Sequence, residues 1–270
     1  MTTIKLNIKS AGFCLAKKNH VLRKTSKKEI KFYATFAIIY HPTEGIILFD
    51  TGYTTRFYDQ TRKFPFSMYA KITKVTINKE NEAREVLMKK GIDPSKIKKI
   101  IISHFHADHI GGLLDFPNAQ FICSQSSYEA IKNKKGFRAL LKGFLPNLLP
   151  TNFEARTQFL KFEKNEYSHP ILGDQINLFN DDSIKIFQME GHAKGQIGIL
   201  LQTENQPVFL ISDGAWVKEN FTKLHLPSKK IKVVIDSWKE LVLTLKKINK
   251  YHINHPETLI IPCHCEHTFN

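Results

Sequence analysis

Ser103-His104-Phe105-His106-Ala107-Asp108-His109-Ile110-Gly111-Gly112 follows directly on an apolar run, Ile100-Ile101-Ile102. The run reads as a short buried strand, so the polar stretch sits on a loop at a strand end. His104 and His106 are two residues apart and project to the same side of an extended backbone. Asp108 and His109 come as the chain turns. One loop can therefore offer two ring nitrogens to one cation and an oxygen–nitrogen pair to a second. Imidazole and carboxylate suit zinc and its borderline neighbours, and iron, manganese and cobalt also accept this donor set. A lone histidine is usually structural, whereas three histidines and an aspartate within six residues form a metal loop. Gly111 and Gly112 let the backbone pass close to it.

Outward from this loop, strands dominate both halves of the chain. Residues 4–8, 30–40 and 46–49 read as strands, the last two joined by a hairpin-like turn at 40–45. Residues 100–103, 121–123, 183–187, 197–201, 208–211 and 258–261 are further short strands. Residues 80–90 read as a helix stopped by Gly91, and 237–251 as a second, with Leu241, Leu245 and Ile248 on one face. The pattern suggests an α+β fold, two sheets with helices outside them in an αββα sandwich. We expect one domain over residues 1–270, with a helical insertion at about 132–170. In that insertion Phe137, Leu140, Leu141, Phe144 and Leu145 give an apolar face beside several cations, and Pro146 interrupts any helix. It reads as a flap packed on the body, or as a lid over the site that contacts an apolar substrate or a membrane surface.

With 270 residues and 42% hydrophobic content the chain can bury a substantial core. No stretch approaches the ~20 apolar residues of a membrane-spanning helix. The opening MTTIKLNIKS lacks a signal-peptide pattern, and cytoplasmic residence is the expectation. Four cysteines, Cys14, Cys123, Cys263 and Cys265, fit a reducing compartment rather than a disulfide framework. The formal charge of +15 attracts anions. The lysines are scattered and no nucleic-acid motif accompanies them, so a nucleic-acid partner is not expected. The sequence admits a homodimer.

H-x-H-x-D-H behind a strand, with Gly-Gly after it, resembles the signature of the metallo-β-lactamase superfamily. Phe49-Asp50-Thr51-Gly52 resembles that family's upstream aspartate-glycine loop. Glu190-Gly191-His192-Ala193-Lys194-Gly195 resembles its G-H-x-x-G segment, Ser212-Asp213-Gly214 its bridging-aspartate segment, and Pro262-Cys263-His264 its final histidine. The resemblance implies a first metal on His104, His106 and His192, and a second on Asp108, His109 and His264. Asp213 would bridge the two, and Asp50 would orient a ligand by hydrogen bonding. The remaining histidines, His20, His41, His169, His225, His252, His255 and His267, lack such a setting and are expected to be non-ligands. Cys263 and Cys265 alternate with His264, so a His264 that points into the site would turn both away.

Two divalent ions so held would share a water and lower its pKa from about 15.7 towards about 7, giving a bridging hydroxide at neutral pH. Asp108, or a metal-bound water, would return a proton to the leaving group. The complete H-x-H-x-D-H differs from the redox branch resembling flavodiiron proteins, which usually has a glutamate at the position of His106. Class B β-lactamases have a cysteine at the position of Asp213. Among hydrolases the chain most resembles the acyl-homoserine lactonase-like branch, over 50–53 and 213–221, and an uncharacterised subgroup of it that shares 49–53, 62–66 and 145–153. That branch has a tyrosine three residues after the bridging aspartate, where this chain has Trp216. Tyr53, Trp216 and Phe144 are candidate substrate contacts. The expected activity is hydrolysis of a small ester or lactone. The alternatives are a phosphodiesterase or nuclease, a glyoxalase II-like thioesterase, or a binding protein that has lost turnover.

Overall fold

Alternation along β2 (Glu29–His41) sets how the layers stack. Phe36 and Ile38 point to one side of it, and Ala37 and Ile39 to the other, as the two-residue period of a strand requires. In a computed structural model, which describes residues 2–162 and 168–266, those two sides meet different partners. Phe36 and Ile38 join a cluster with Leu87 and Ile110 outside the sheet. Ala37 and Ile39 face Ile186 and Ile199 of a second sheet.

The first sheet holds β1 (Lys5–Lys17), β2, β3 (Gly45–Phe49), β4 (Val75–Thr76), β5 (Lys99–Ile101), β6 (Gln120–Ser124) and β7 (Thr157–Leu160), in the order β4-β1-β2-β3-β5-β6-β7. The second holds β8 (Gln175–Asn177), β9 (Ile184–Gln188), β10 (Ile197–Gln202), β11 (Pro207–Leu210) and β12 (Leu259–Ile261), in the order β12-β11-β10-β9-β8. Both sheets mix parallel and antiparallel pairs. The helix Trp238–Asn254 lays Leu241, Leu245, Ile248 and Tyr251 on the outer face of the second sheet, against Phe187 and Phe209. The helix Ala83–Lys89 covers the first sheet with Ala83 and Leu87. The architecture is the expected αββα sandwich of two mixed sheets.

Several elements differ from the sequence reading. β1 runs on to Lys17 because its register shifts between Ser10 and Phe13, where Gly12 takes a φ of 80°, so the glycine bends the strand rather than ending it. The helix expected at 80–90 starts at Ala83, since Glu82 is extended and its carboxylate accepts from Thr55 N and Thr55 Oγ1, each at 2.7 Å. Segment 132–170 is not wholly helical. It carries the short helix Gly136–Leu140, a 3-10 turn at Pro146–Leu148, and then β7, the edge strand of the first sheet.

Parallel pairing of β3 with β5, and of β11 with β12, brings their carboxyl ends to one edge of the sandwich. β9 runs antiparallel to β10, as β11 does, so its end emerges there too. The segments that follow these five strands carry Asp50, the 103–112 loop, His192, Asp213 and His264. Among the described residues no helix is long and apolar enough to cross a membrane.

Candidate metal centre

His104 and His106 lie side by side on the loop after β5, with ring centroids 4.5 Å apart. His192 comes from the turn after β9, and its Nε2 is 2.9 Å from His106 Nδ1. With Asp213 these residues form one group whose potential ligand atoms all lie within 4.8 Å of one another. His109, Asp213, Cys263 and His264 form a second such group. Asp213 belongs to both. Its Oδ2 is 3.0 Å from His192 Nε2 and 3.1 Å from His264 Nε2, and its Oδ1 is 3.5 Å from His109 Nε2. Asp108 stands at the rim of the second group, with Oδ2 3.4 Å from His109 Nε2 and 4.0 Å from His264 Nε2.

A surrounding layer of hydrogen bonds aims these rings. Asp50, held at a φ of 59° just past β3, accepts from Ser103 N at 2.8 Å and lies 2.7 Å from His109 Nδ1. Ser103 Oγ donates to Asp50 at 2.8 Å and accepts from Ser212 Oγ at 2.8 Å, tying the two sheets together beneath the centre. His264 Nδ1 donates to the Tyr33 carbonyl at 2.7 Å. His104 Nδ1 lies 3.1 Å from Ser103 Oγ, and with the far nitrogens so occupied the buried His104 Nε2 and His109 Nε2 have no hydrogen-bond partner. Buried ring nitrogens without partners are costly, and they are the atoms a cation would take. The donor set of imidazoles and carboxylates therefore fits two divalent ions.

The electrostatics point the same way. Burial pushes the His106 ring down to about 3, with His192 beside it adding to the effect, so it presents a neutral nitrogen. Burial and the neighbouring His109 hold His104 far below its usual range. Burial would lift the Asp108 carboxyl, but the His109 ring holds it down at about 2. Burial opposes charge on His109 as well, and the Asp108 and Asp50 carboxylates outweigh it, raising the ring well above its usual value. The carboxylates thus hold protons on the second group that a divalent ion would replace, so metal uptake should release protons.

Three findings fell outside the sequence reading. Cys263 does not turn away from the centre: its Sγ lies 2.5 Å from Asp213 Oδ1. The alternation argument fails because β12 ends at Ile261 and residues 262–265 form a turn. Burial and the Asp213 charge raise the Cys263 thiol well above its usual value, so it donates its proton to the carboxylate. Cys265 is directed instead to the Trp216 carbonyl, at 3.9 Å. Trp216 spends its single N–H on Asp213 Oδ2, at 3.0 Å, and packs edge-on against His192 and Phe32. Tyr53 is buried, its ring edge-on to Phe57 at 5.4 Å and its hydroxyl paired with the Cys14 thiol. Phe144 lies in the core against Phe105. None of the other described histidines joins either group, and His267 lies outside the described residues.

Gly143 is the third finding. A Cβ there would stand 2.7 Å from His106 Cδ2, and its φ is 58°. Segment 132–170 thus rests its backbone against the His106 ring. Gly143→Ala is expected to displace His106 and to strain the backbone by ~1–2 kcal/mol, lowering metal affinity about tenfold or more. Isothermal titration of zinc into the variant checks this, and an unchanged affinity would show that His106 has room to move.

The family model described as Metallo-beta-lactamase superfamily matches residues 30–208. The N-acyl homoserine lactonase of a Bacillus species is 27% identical over 222 residues, covering 82% of this chain and 80% of the relative. Among solved structures, an N-acyl homoserine lactone hydrolase with the product N-hexanoyl-L-homoserine bound at its catalytic metal centre superposes with a TM-score of 0.71 at 19% identity, covering 98% of this chain and 94% of that one. AidC, a dizinc quorum-quenching lactonase, superposes with a TM-score of 0.64 at 16% identity, covering 98% of this chain and 88% of its own.

Proposed function

We propose that a lactone or a similar small carboxylic ester is the substrate, starting from one fact: the chain belongs to the metallo-beta-lactamase superfamily, as a metal-dependent hydrolase. The observation that carries the reading is the pair of four-residue groups sharing Asp213. The lactonase relatives match four-fifths of the chain, in line with the same substrate class.

On this reading His104, His106 and His192 hold a first ion, Asp108, His109 and His264 a second, and Asp213 both. Zinc suits the donor set, as in the dizinc neighbour AidC. Two ions bound there would supply a nucleophile by acidifying a shared water, and would polarise the ester carbonyl. The chain's own groups do the rest. Asp213 fixes the spacing of the two groups, and the Trp216 indole and Cys263 thiol fix Asp213. Asp50 fixes the tautomer of His109. Asp108, buried at the rim of the second group, is the carboxylate placed to carry a proton to the leaving alkoxide. Trp216 has no free donor for a substrate carbonyl, so substrate orientation falls to the metals and the pocket wall rather than to a hydroxyl at this position. The four cysteines are free, which suits a cytoplasmic enzyme.

Metal content of the protein purified without chelator, together with turnover of a lactone, a thioester and bis-p-nitrophenyl phosphate on the same sample, tests the reading. About two ions per chain with lactone or ester turnover is the expected result. Turnover of the phosphodiester alone would replace this reading with a phosphodiesterase, and of the thioester alone with a thioesterase.

A further inference from the structure

Three stretches of the chain contain no acidic residue: 60–79 with five lysines and arginines, 130–153 with five, and 223–235 with four. Each also exposes large apolar side chains that a folded chain would ordinarily bury. Phe64 is 69% exposed, Ile72 75%, Leu141 71% and Val233 81%. Such exposure next to cations is not explained by the catalytic centre, whose groups are buried.

The stretches meet on one face. Phe64 packs edge-on against Phe137, with ring centroids 5.1 Å apart. Leu141 lies one helical turn beyond Phe137, and Met68 and Ile72 lie one turn apart on the helix Ser67–Ile72 that follows Phe64 and Pro65. Lys142 binds Asp236 at 2.5 Å, which brings the end of the third stretch, with Val233 and Val234, alongside. The next residue, Gly143, rests on His106, so this face borders the entrance to the metal centre.

We infer that this face docks on an anionic lipid surface. Exposed phenylalanine, leucine and isoleucine side chains can enter the boundary between headgroups and acyl chains, while lysines and arginines around them meet anionic headgroups. Cations are free for it: Lys63, Lys71, Lys135, Lys229 and Lys230 are all exposed. A second copy of the chain fits poorly, because a two-fold interface would set fourteen cations against fourteen, while the carboxylates at its edges, Asp59, Glu154 and Asp236, are already paired with Arg62, Lys132 and Lys142. Nucleic acid fits less well: the rings of Phe64 and Phe137 pack edge-on against each other, and the equally exposed Ile72, Leu141 and Val233 offer no ring for a base to stack on. The inference goes beyond the hydrolase reading and does not depend on which ester is cleaved. It implies that an apolar substrate dissolved in the lipid would arrive at the centre without crossing bulk water.

The test is sedimentation of the metal-loaded full chain with vesicles of phosphatidylcholine alone and of phosphatidylcholine mixed with phosphatidylglycerol. Pelleting with the anionic vesicles only, weakened by salt, is expected. Lys134→Glu with Lys135→Glu should lower the partition about tenfold or more, and Phe137→Ser with Leu141→Ser should lower it too. Both variants should turn over a water-soluble ester at the rate of the parent when no vesicles are present, so failure of the hydrolase reading is seen separately. No pelleting at low salt would overturn the inference. So would undiminished binding by the Phe137→Ser/Leu141→Ser variant, which would reduce the effect to bulk charge, or a parent dimer that this variant abolishes, which would assign the face to a second copy. Binding of single-stranded nucleic acid that both variants lose, with no vesicle binding, would assign it there.

Discussion

Asp213→Asn is expected to lower kcat/KM for the lactone by about a thousandfold and to weaken both ions at once. Loss of a mere outer partner of a metal site costs ~10–100-fold, and Asp213 is more than that. Its two oxygens receive His192, His264, Trp216 and Cys263, with His109 close by. An asparagine of the same shape keeps one acceptor oxygen but turns an amide N–H₂ towards groups that are themselves donors. Placed against Oδ1, the amide would oppose the Cys263 S–H; placed against Oδ2, it would oppose the Trp216 N–H. Either orientation leaves a buried polar clash and removes the negative charge that two cations would share. Metal content after exhaustive dialysis, steady-state kinetics and far-ultraviolet circular dichroism on one preparation check the result. A folded variant with two ions per chain and parental turnover would mean that Asp213 bridges nothing.

Much of this site could be read from the sequence, and the reasons are local. The 103–112 loop could be read because its ligating types are contiguous and follow an apolar strand, so a single turn of backbone determines their placement. His192 and Asp213 were legible through the glycines beside them. What lay hidden depended on side-chain direction outside regular structure. Cys263 looked as though it faced away because alternation was carried past Ile261, where β12 ends. Trp216 reads as a substrate contact because it stands where the lactonase-like branch has a tyrosine. The 3-10 turn at Ser212–Gly214 and the extended Ala215 fold the chain so that the indole meets the carboxylate three residues back. The edge strand β7 was missed because four residues beside a proline-rich loop give too short a period to separate from the helical turns before it. Tertiary pairing with β6, not local propensity, makes it a strand.

Asp50→Asn should separate the two ions, which Asp213→Asn cannot do. Asp50 reaches the His104 ring only through Ser103 Oγ, 3.1 Å from His104 Nδ1, and acts directly on the second group through His109 Nδ1 at 2.7 Å. The carboxylate accepts the Nδ1 proton and so leaves Nε2 bare towards the centre. In the variant the asparagine oxygen would be kept by the Ser103 backbone N–H, which Asp50 Oδ1 now receives at 2.8 Å. The amide N–H₂ would then face His109 and Ser103 Oγ, where the carboxylate had accepted. Donor would oppose donor unless the His109 proton moves to Nε2, and a protonated Nε2 cannot bind a cation. The second ion should therefore be lost or weakened ~10–100-fold, while His104, His106 and His192 keep the first. Titration with zinc should show one tight site and one weak one in place of two tight sites, with turnover falling in step with the weak site's occupancy. Adding zinc in excess should restore part of the rate. Two tight sites in the variant would show that the imidazole needs no carboxylate behind it, and the assignment of Asp50 would fail even with the rest of the centre intact.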